Sequence, residues 1–171
     1  FQDLTIDKLG DVQVIFNLSD VASLSQRVKT REEILKKAEE LKESGRAQDA
    51  VALLETTGQE SQATDLSADN ALADGDFEKA ASIYVKAKDY LRASEVWKNA
   101  GNTLKYHDMR AAYYIHEQEF AKAIPHLQDS NNLVLLAKVY QKLGETKLFH
   151  ETIAQAHLQK GEKQDAAQAY M

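Results

Sequence analysis

The spacing of the glycines is the feature that most constrains how this chain folds. Six of the seven glycines are Gly45, Gly58, Gly75, Gly101, Gly144 and Gly161, which lie 13, 17, 26, 43 and 17 residues apart. If Lys88, Gln118 and Asn131 are counted as turn positions without glycine, every interval becomes 13 or 17 residues. Glycine suits the residue after a helix, where a positive φ angle costs it no Cβ clash. The spacing therefore predicts short helices joined by tight turns.

The segments between these turns carry apolar residues at helical spacing. In residues 31–44, Ile34, Leu35 and Leu41 share one face, and charged residues occupy the others. A small residue within the stripe, followed four residues later by a large one, favours close helix packing. The residues predicted to form the repeat packing are Ala50, Leu54, Gly75, Phe77, Ala80, Tyr84, Ala93, Trp97, Phe120, Ala123, Leu127, Leu136, Ala137, Tyr140, Ala166 and Tyr170. The fold class predicted is all-α, an α-solenoid of stacked antiparallel helix pairs.

A longer period of 43 residues is also present. Blocks that begin at Gly45, Lys88 and Asn131 superimpose their turn positions, and Ala68, Ala111 and Ala154 then coincide. Each block holds three short helices, which indicates a possible internal duplication.

Composition agrees with an all-α chain and narrows the function. Proline occurs once, 43% of the residues are hydrophobic and 28% are charged. With no cysteine, disulfides and thiolate chemistry are excluded. A net charge of −6 argues against binding of nucleic acid or an anionic membrane. The apolar runs are far shorter than the roughly 20 residues that span a bilayer, and no signal peptide is visible, so a cytoplasmic location is expected.

The one proline, Pro125, falls inside an apparent helix between Ile124 and Leu127. Near the start of a helix a proline costs little, whereas deeper in the helix it removes a hydrogen bond and clashes with the preceding turn. The sequence leaves both readings open, with the position near the helix start favoured.

Residues 75–84 resemble the turn and second helix of a tetratricopeptide repeat. Gly75 closes a helix, Phe77 follows two residues later, and Ala80 and Tyr84 continue the stripe. Weaker copies begin at Gly45, Gln118 and Gly161, so the likeness covers about residues 31–171. The spacing departs from the 34 residues usual in that family, and the proline between repeats is missing. The resemblance implies a divergent, short-helix solenoid like those of trafficking coats and transport complexes, which binds protein or peptide partners or other subunits of a complex.

Residues 1–29 differ from the rest of the chain. Val12, Val14, Phe16 and Leu18 alternate as in a strand, although a helix fits nearly as well. A strand here would need a partner from a preceding domain, a second copy or another chain. We therefore divide the chain into an N-terminal segment, 1–29, and repeats in 30–171. Because Tyr170 and Met171 end in mid-stripe, we expect a fragment of a longer array that could self-associate through its uncapped end.

No catalytic or metal motif is complete in the sequence. His116-Glu117 and His150-Glu151 open like a zinc-protease motif, but Phe120 and Ala154 stand where the second histidine would be. Paired acids lie where helix faces and caps explain them. We therefore expect no enzyme activity, no metal and no cofactor.

Aromatic residues are concentrated in residues 77–149, and most should be core. Tyr113 and Tyr114 are adjacent, so one ring points away from the face that the other occupies. The candidate partner contacts are Tyr106, Arg110, Tyr113, Tyr114, Glu117, Lys138 and Gln141. The function predicted is a non-catalytic protein-interaction scaffold. The alternatives are a regulatory segment fused to a catalytic domain outside this chain and a self-assembly element.

Overall fold

The computed structural model describes the backbone of residues 4–9, 12–16 and 18–169, and the side chains of residues 26–28 and 30–169. The elements are β1 (Leu4–Leu9), β2 (Val12–Phe16), α1 (Leu18–Glu43), α2 (Ala47–Thr56), α3 (Glu60–Ala73), α4 (Phe77–Lys86), α5 (Tyr90–Asn99), α6 (Thr103–His116), α7 (Phe120–Asp129), α8 (Leu133–Leu143), α9 (Thr146–Gln159) and α10 (Lys163–Ala169). The chain divides into two compact units, residues 1–66 and 67–171, which are described separately.

The N-terminal segment contains a β-hairpin. Strands β1 and β2 pair antiparallel, with Leu4 opposite Phe16 and Leu9 opposite Val12. The strand alternative for residues 12–16 is therefore the one observed. The expectation that its partner would come from outside is wrong for the described residues, because β1 of the same chain supplies the pairing. Helix α1 runs continuously from Leu18 to Glu43, through the position at which the sequence analysis divides the chain.

The predicted turn positions are confirmed. Among the described residues, those with φ between 55° and 80° are Gly45, Gly58, Gly75, Lys88, Gly101, Gln118, Asn131, Gly144 and Gly161. At each turn the amide after the left-handed residue donates to a carbonyl five residues back; Asp76 to Ala71 and Asp89 to Tyr84 are two examples, both at 2.8 Å. This Schellman arrangement satisfies carbonyls at the helix end. Lys88, Gln118 and Asn131 adopt it without glycine, as the regular spacing predicts.

The residue that closes one helix also starts the next. Asp76, Asp89, Asn102 and Asn132 directly follow a left-handed residue, and each accepts a hydrogen bond from the backbone amide three residues on. Such an N-cap satisfies one of the free amides of the first helical turn. One left-handed residue and one cap are therefore enough to reverse the chain between these helices.

Consecutive helices pack against one another, which makes the helical part an all-α solenoid. In the first unit α1 packs on α2 around Ala38, Ala50 and Leu54. In the second unit each helix from α4 to α10 packs on the next. Of the predicted packing residues, those buried are Ala50, Leu54, Ala80, Tyr84, Ala93, Trp97, Ala123, Leu127, Leu136, Ala137, Tyr140 and Ala166. Phe77 and Phe120 are half-buried against the two cores of the second unit, and Tyr170 lies outside the described residues.

The 43-residue period is visible in the backbone and in burial. Helices α3, α6 and α9 each have 14 residues and begin 43 residues apart, whereas the described helices between them have 10 or 11. Ala68, Ala111 and Ala154 occupy equivalent positions in these long helices, and all three are fully buried. Two short helices and one long helix therefore form the repeating unit.

Pro125 is deeper in its helix than the favoured reading expects. It is the sixth residue of α7, and the helix continues to Asp129. The expected position near the helix start is therefore wrong. Because proline has no N–H, the backbone hydrogen bond to the carbonyl of Ala121 cannot form. The ring itself is exposed, so nothing in the core opposes it.

The turns carry a testable stability signature. Gly101 has φ of 70°, and a Cβ added there would meet nothing within 4 Å, so the cost of Gly101→Ala is conformational and should be about 1 kcal/mol. Lys88→Gly should stabilise by up to about 1 kcal/mol, since it removes the same cost. Asn131→Gly should change less, because asparagine tolerates this conformation. Urea unfolding followed by circular dichroism measures all three; equal effects of Lys88→Gly and Asn131→Gly would contradict the explanation.

Candidate functional site

Helices α6 and α7 bring together the largest group of predicted contact residues. Ala111 of α6 and Ala123 of α7 are fully buried and belong to the same core, which lets the two helices approach closely. Gln118 forms the turn between them. Residues at equal distances on either side of this turn face each other across the helix pair. We call the resulting group the α6–α7 cluster: Tyr106, His107, Arg110, Tyr113 and Tyr114 of α6 with Lys122, His126 and Asp129 of α7.

Two histidines lie at the centre of the α6–α7 cluster. The Nδ1 atoms of His107 and His126 are 3.0 Å apart, and Asp129 Oδ2 is 3.5 Å from His107 Nδ1. At 3.0 Å one Nδ1 donates a proton and the other accepts it, so both nitrogens cannot be protonated together. The ring of Tyr114 stacks on His126 with centroids 5.5 Å apart, and Tyr106 meets both histidines edge-on.

This environment disfavours the charged form of His126. Burial lowers the pKa of His126 below its ordinary value, and the positive charges of His107 and Arg110 lower it further. Asp129 opposes the shift but does not reverse it. In the folded chain the imidazole of His126 therefore stays neutral to a lower pH than a free histidine does.

Arg110 is half-buried beside two tyrosines. Its Nη2 donates to Tyr114 Oη at 3.3 Å, and its guanidinium carbon lies 5.5 Å from the ring centroid of Tyr114 and 5.9 Å from that of Tyr113. Its Nε is buried and has no hydrogen-bond partner. Among the side chains that the structure describes, no carboxylate lies within ion-pair distance of Arg110. The guanidinium charge is thus balanced only by ring faces and one long hydrogen bond.

Lys122 is the other cation of the α6–α7 cluster, and it is paired. Its Nζ donates to both carboxylate oxygens of Glu119, at 2.8 and 2.9 Å, and lies 5.9 Å from the ring centroid of Tyr114. The hydrogen bond to Glu119 raises the pKa of Lys122. Lys122 is exposed and contributes a solvated charge at the edge of the cluster.

The structure separates the predicted contact residues into two groups. Tyr106, Arg110, Tyr113 and Tyr114 meet in the α6–α7 cluster. The carboxylate of Glu117 is exposed in the turn after α6 and lies 3.1 Å from Nδ1 of its neighbour His116. The two remaining candidates, Lys138 and Gln141, are exposed on α8 and have no described contact with the cluster.

Sequence reasoning missed His107, Lys122, His126 and Asp129. A usable signal exists, because the turn residue Gln118 is a point of reflection. Tyr114 and Lys122 each lie four residues from it, Arg110 and His126 lie eight, and His107 and Asp129 lie eleven. The pairing of α6 with α7 had to be known before this count had a meaning.

Two other polar groups in the second unit have simpler explanations. Ligand atoms of His157, Glu162 and Asp165 lie within 4.8 Å of one another. The two acids stand at the start of α10, where they complement the helix dipole, and Glu162 also bonds His157 at 2.7 Å. A depression of about 310 Å³ beside Asn131 is lined by side chains that bond each other: Asn132 donates to Asp108 at 3.0 Å, and Gln159 donates to Asn131 at 3.2 Å.

Comparisons with known proteins add no identity to this geometry. No protein-family model, curated protein or solved structure matches the chain. The α-solenoid architecture therefore rests on the packing of consecutive helices. None of the described helices is both long and apolar enough to cross a membrane.

The lowered pKa of His126 predicts a loss of stability in mild acid. An unfolded histidine titrates near 6.5, so below that pH the unfolded chain binds a proton that the folded chain resists. Stability is then fully present above about pH 6.5 and is lost as the pH falls through the lower folded pKa. The urea midpoint should fall more between about pH 7.5 and about pH 5.5 for wild type than for His126→Gln. His150→Gln, at an exposed histidine of α9, should keep the wild-type slope; an equal slope in all three chains would contradict the prediction.

Proposed function

We propose that this chain is a non-catalytic protein-interaction scaffold and that the α6–α7 cluster is its contact surface. The observation that carries the proposal is a half-buried arginine without an acidic partner, set against two half-buried tyrosines on one helix. Tyrosine and arginine are enriched among the residues that dominate binding energy at protein interfaces. Both lose little conformational freedom here, because each already packs against its neighbours.

The rigidity of the surroundings supports this choice of surface. Tyr114 is fixed by His126 on one side and by Arg110 on the other, and the fully buried Ala111 and Ala123 hold the helices beneath. A surface that is already ordered pays less entropy when a partner binds. Lys138 and Gln141, by contrast, stand in solvent on α8 and offer no comparable order.

The resemblance at residues 75–84 supports a tetratricopeptide-like classification within this proposal. The turn at Gly75, the half-buried Phe77 and the buried Ala80 and Tyr84 occupy the roles that the resemblance implies. On that basis we place the chain in a cytoplasmic assembly of the trafficking-coat or transport-complex kind, as a repeat segment that holds other subunits.

The test is an affinity pull-down from native lysate with wild type and with Tyr113→Ala/Tyr114→Ala. We expect the double variant to lose a defined partner, because it removes both rings that flank Arg110. Glu95→Ala/Lys98→Ala serves as the matched control, since it removes an exposed charge pair on α5 and leaves the net charge unchanged.

Circular dichroism and the urea midpoint establish that each variant is folded. Partner loss in the tyrosine variant alone supports the proposal. If both double variants retain the partner, the contact surface lies elsewhere; if folded wild type captures only itself, the scaffold gives way to self-assembly.

A further inference from the structure

We propose that Arg110 is the anchor for one carboxylate of the partner, an aspartate or glutamate side chain presented by a peptide segment that lies over Tyr113 and Tyr114. The inference rests on the proposed function and adds to it the chemistry of the ligand. It is carried by the charge balance of the α6–α7 cluster and by the freedom of the Arg110 side chain.

The charge balance sets Arg110 apart from comparable cations in the second unit. Arg92 pairs with Asp89 at 2.5 Å, Lys105 pairs with Glu78, and Lys122 pairs with Glu119. Arg110 is half-buried, yet its guanidinium reaches no carboxylate among the described residues. A partly buried charge is stable when an opposite charge and hydrogen bonds compensate its lost hydration. The missing compensation is one negative charge.

The side chain can turn towards such a ligand at little cost. One hydrogen bond of 3.3 Å to Tyr114 holds Nη2, and the buried Nε has no acceptor that a movement would abandon. A guanidinium offers paired N–H donors that match the two oxygens of a carboxylate. If Nε swings outward with the fork, a donor that is unsatisfied in the free chain gains a partner.

The surroundings favour a single carboxylate over a phosphate. Two other groups could add positive charge, but Lys122 is already neutralised by Glu119, and His126 is held neutral beside His107. Asp129 adds a negative charge on the same side of α7. The α6–α7 cluster therefore holds one uncompensated positive charge, which a monoanion balances and a dianionic phosphate exceeds.

The tyrosines specify what accompanies the carboxylate. Tyr113 and Tyr114 meet edge to face with centroids 5.3 Å apart, and both rings are partly exposed. Such rings offer an apolar face beside the charge, so the bound segment should carry an apolar residue near its acid.

The experiment is a pair of selections from a random dodecapeptide display library, one on wild type and one on Arg110→Gln. We expect wild type to enrich peptides with an acid at one fixed position beside an apolar residue, and Arg110→Gln to lose that enrichment. The consensus peptide is then synthesised with glutamate, with glutamine and with phosphoserine at this position. Glutamine should weaken binding to wild type about tenfold or more, since a hydrogen bond to a charged group is lost.

The variants separate the role of charge from that of folding. On Arg110→Gln the glutamate and glutamine peptides should bind alike, while Arg110→Lys should recover part of the preference, because it keeps the charge without the fork. Lys138→Gln removes an exposed cation from α8 and should leave the preference intact. Circular dichroism checks each fold, and binding should weaken as salt is raised.

Each other outcome overturns the inference. Peptides without an acid preference that are lost on Tyr113→Ala/Tyr114→Ala leave the proposed function standing and remove the carboxylate anchor. A phosphoserine peptide that binds about tenfold more tightly than the glutamate peptide assigns the surface to phosphate. If wild type selects no peptide, both the anchor and a peptide-binding role of this surface are rejected.

Discussion

Leu127→Ala should lower the free energy of unfolding by about 3 kcal/mol, within the range measured for buried leucines. Leu127 is among the largest fully buried side chains of the described residues, at 0% exposure, and it belongs to the core formed with Ala111, Leu136 and Tyr140. Truncation removes apolar contacts and leaves a cavity that rigid helices cannot close. Urea unfolding followed by far-ultraviolet circular dichroism measures the loss.

The control for Leu127 is a leucine in the same unit that contacts solvent. Leu104 of α6 is 59% exposed, so Leu104→Ala should change stability by less than about 0.5 kcal/mol. Equal losses for the two variants would mean that the core of the second unit does not depend on α7.

Ala123→Leu should destabilise by about 1–3 kcal/mol for the opposite reason. Ala123 is fully buried where α7 joins the core, and its small side chain sets how closely the neighbouring helix approaches. Three additional carbons force the helices apart or push other side chains from their preferred rotamers. We expect a lower urea midpoint and weaker binding at the α6–α7 cluster, because the cluster spans the same two helices.

Ala121→Leu is the matched substitution on the same helix. Ala121 is exposed two residues before Ala123, and alanine and leucine both favour helix, so this change should be nearly neutral. A large loss at Ala121, or none at Ala123, would show that burial of the alanine stripe does not govern the packing.

The turns were predictable from sequence because their cause is local. A left-handed residue follows each helix, and glycine marks six of the nine positions directly. Lys88, Gln118 and Asn131 follow from spacing alone, because helix-plus-turn lengths repeat. The apolar stripes were predictable for the same reason, since helical periodicity depends only on near neighbours in the chain.

Features that depend on pairing between elements were not predictable in the same way. The partner of β2 required knowing that residues 4–9 also form a strand. The histidine pair required the pairing of α6 with α7, because His107 and His126 are 19 residues apart. Pro125 misled for a different reason: helix propensity assigns it to a first turn, whereas the packing of Ala123 and Leu127 carries the helix through it.

The shared-residue turns limit how this chain can change length during evolution. Because one left-handed residue and one cap join successive helices, no slack exists to absorb an insertion. One added residue inside a helix would rotate everything after it by about 100° and turn the apolar face to water. Four added residues leave it within about 40°, and the observed spacings of 13 and 17 differ by that number. Insertions and deletions should therefore survive in steps of one helical turn.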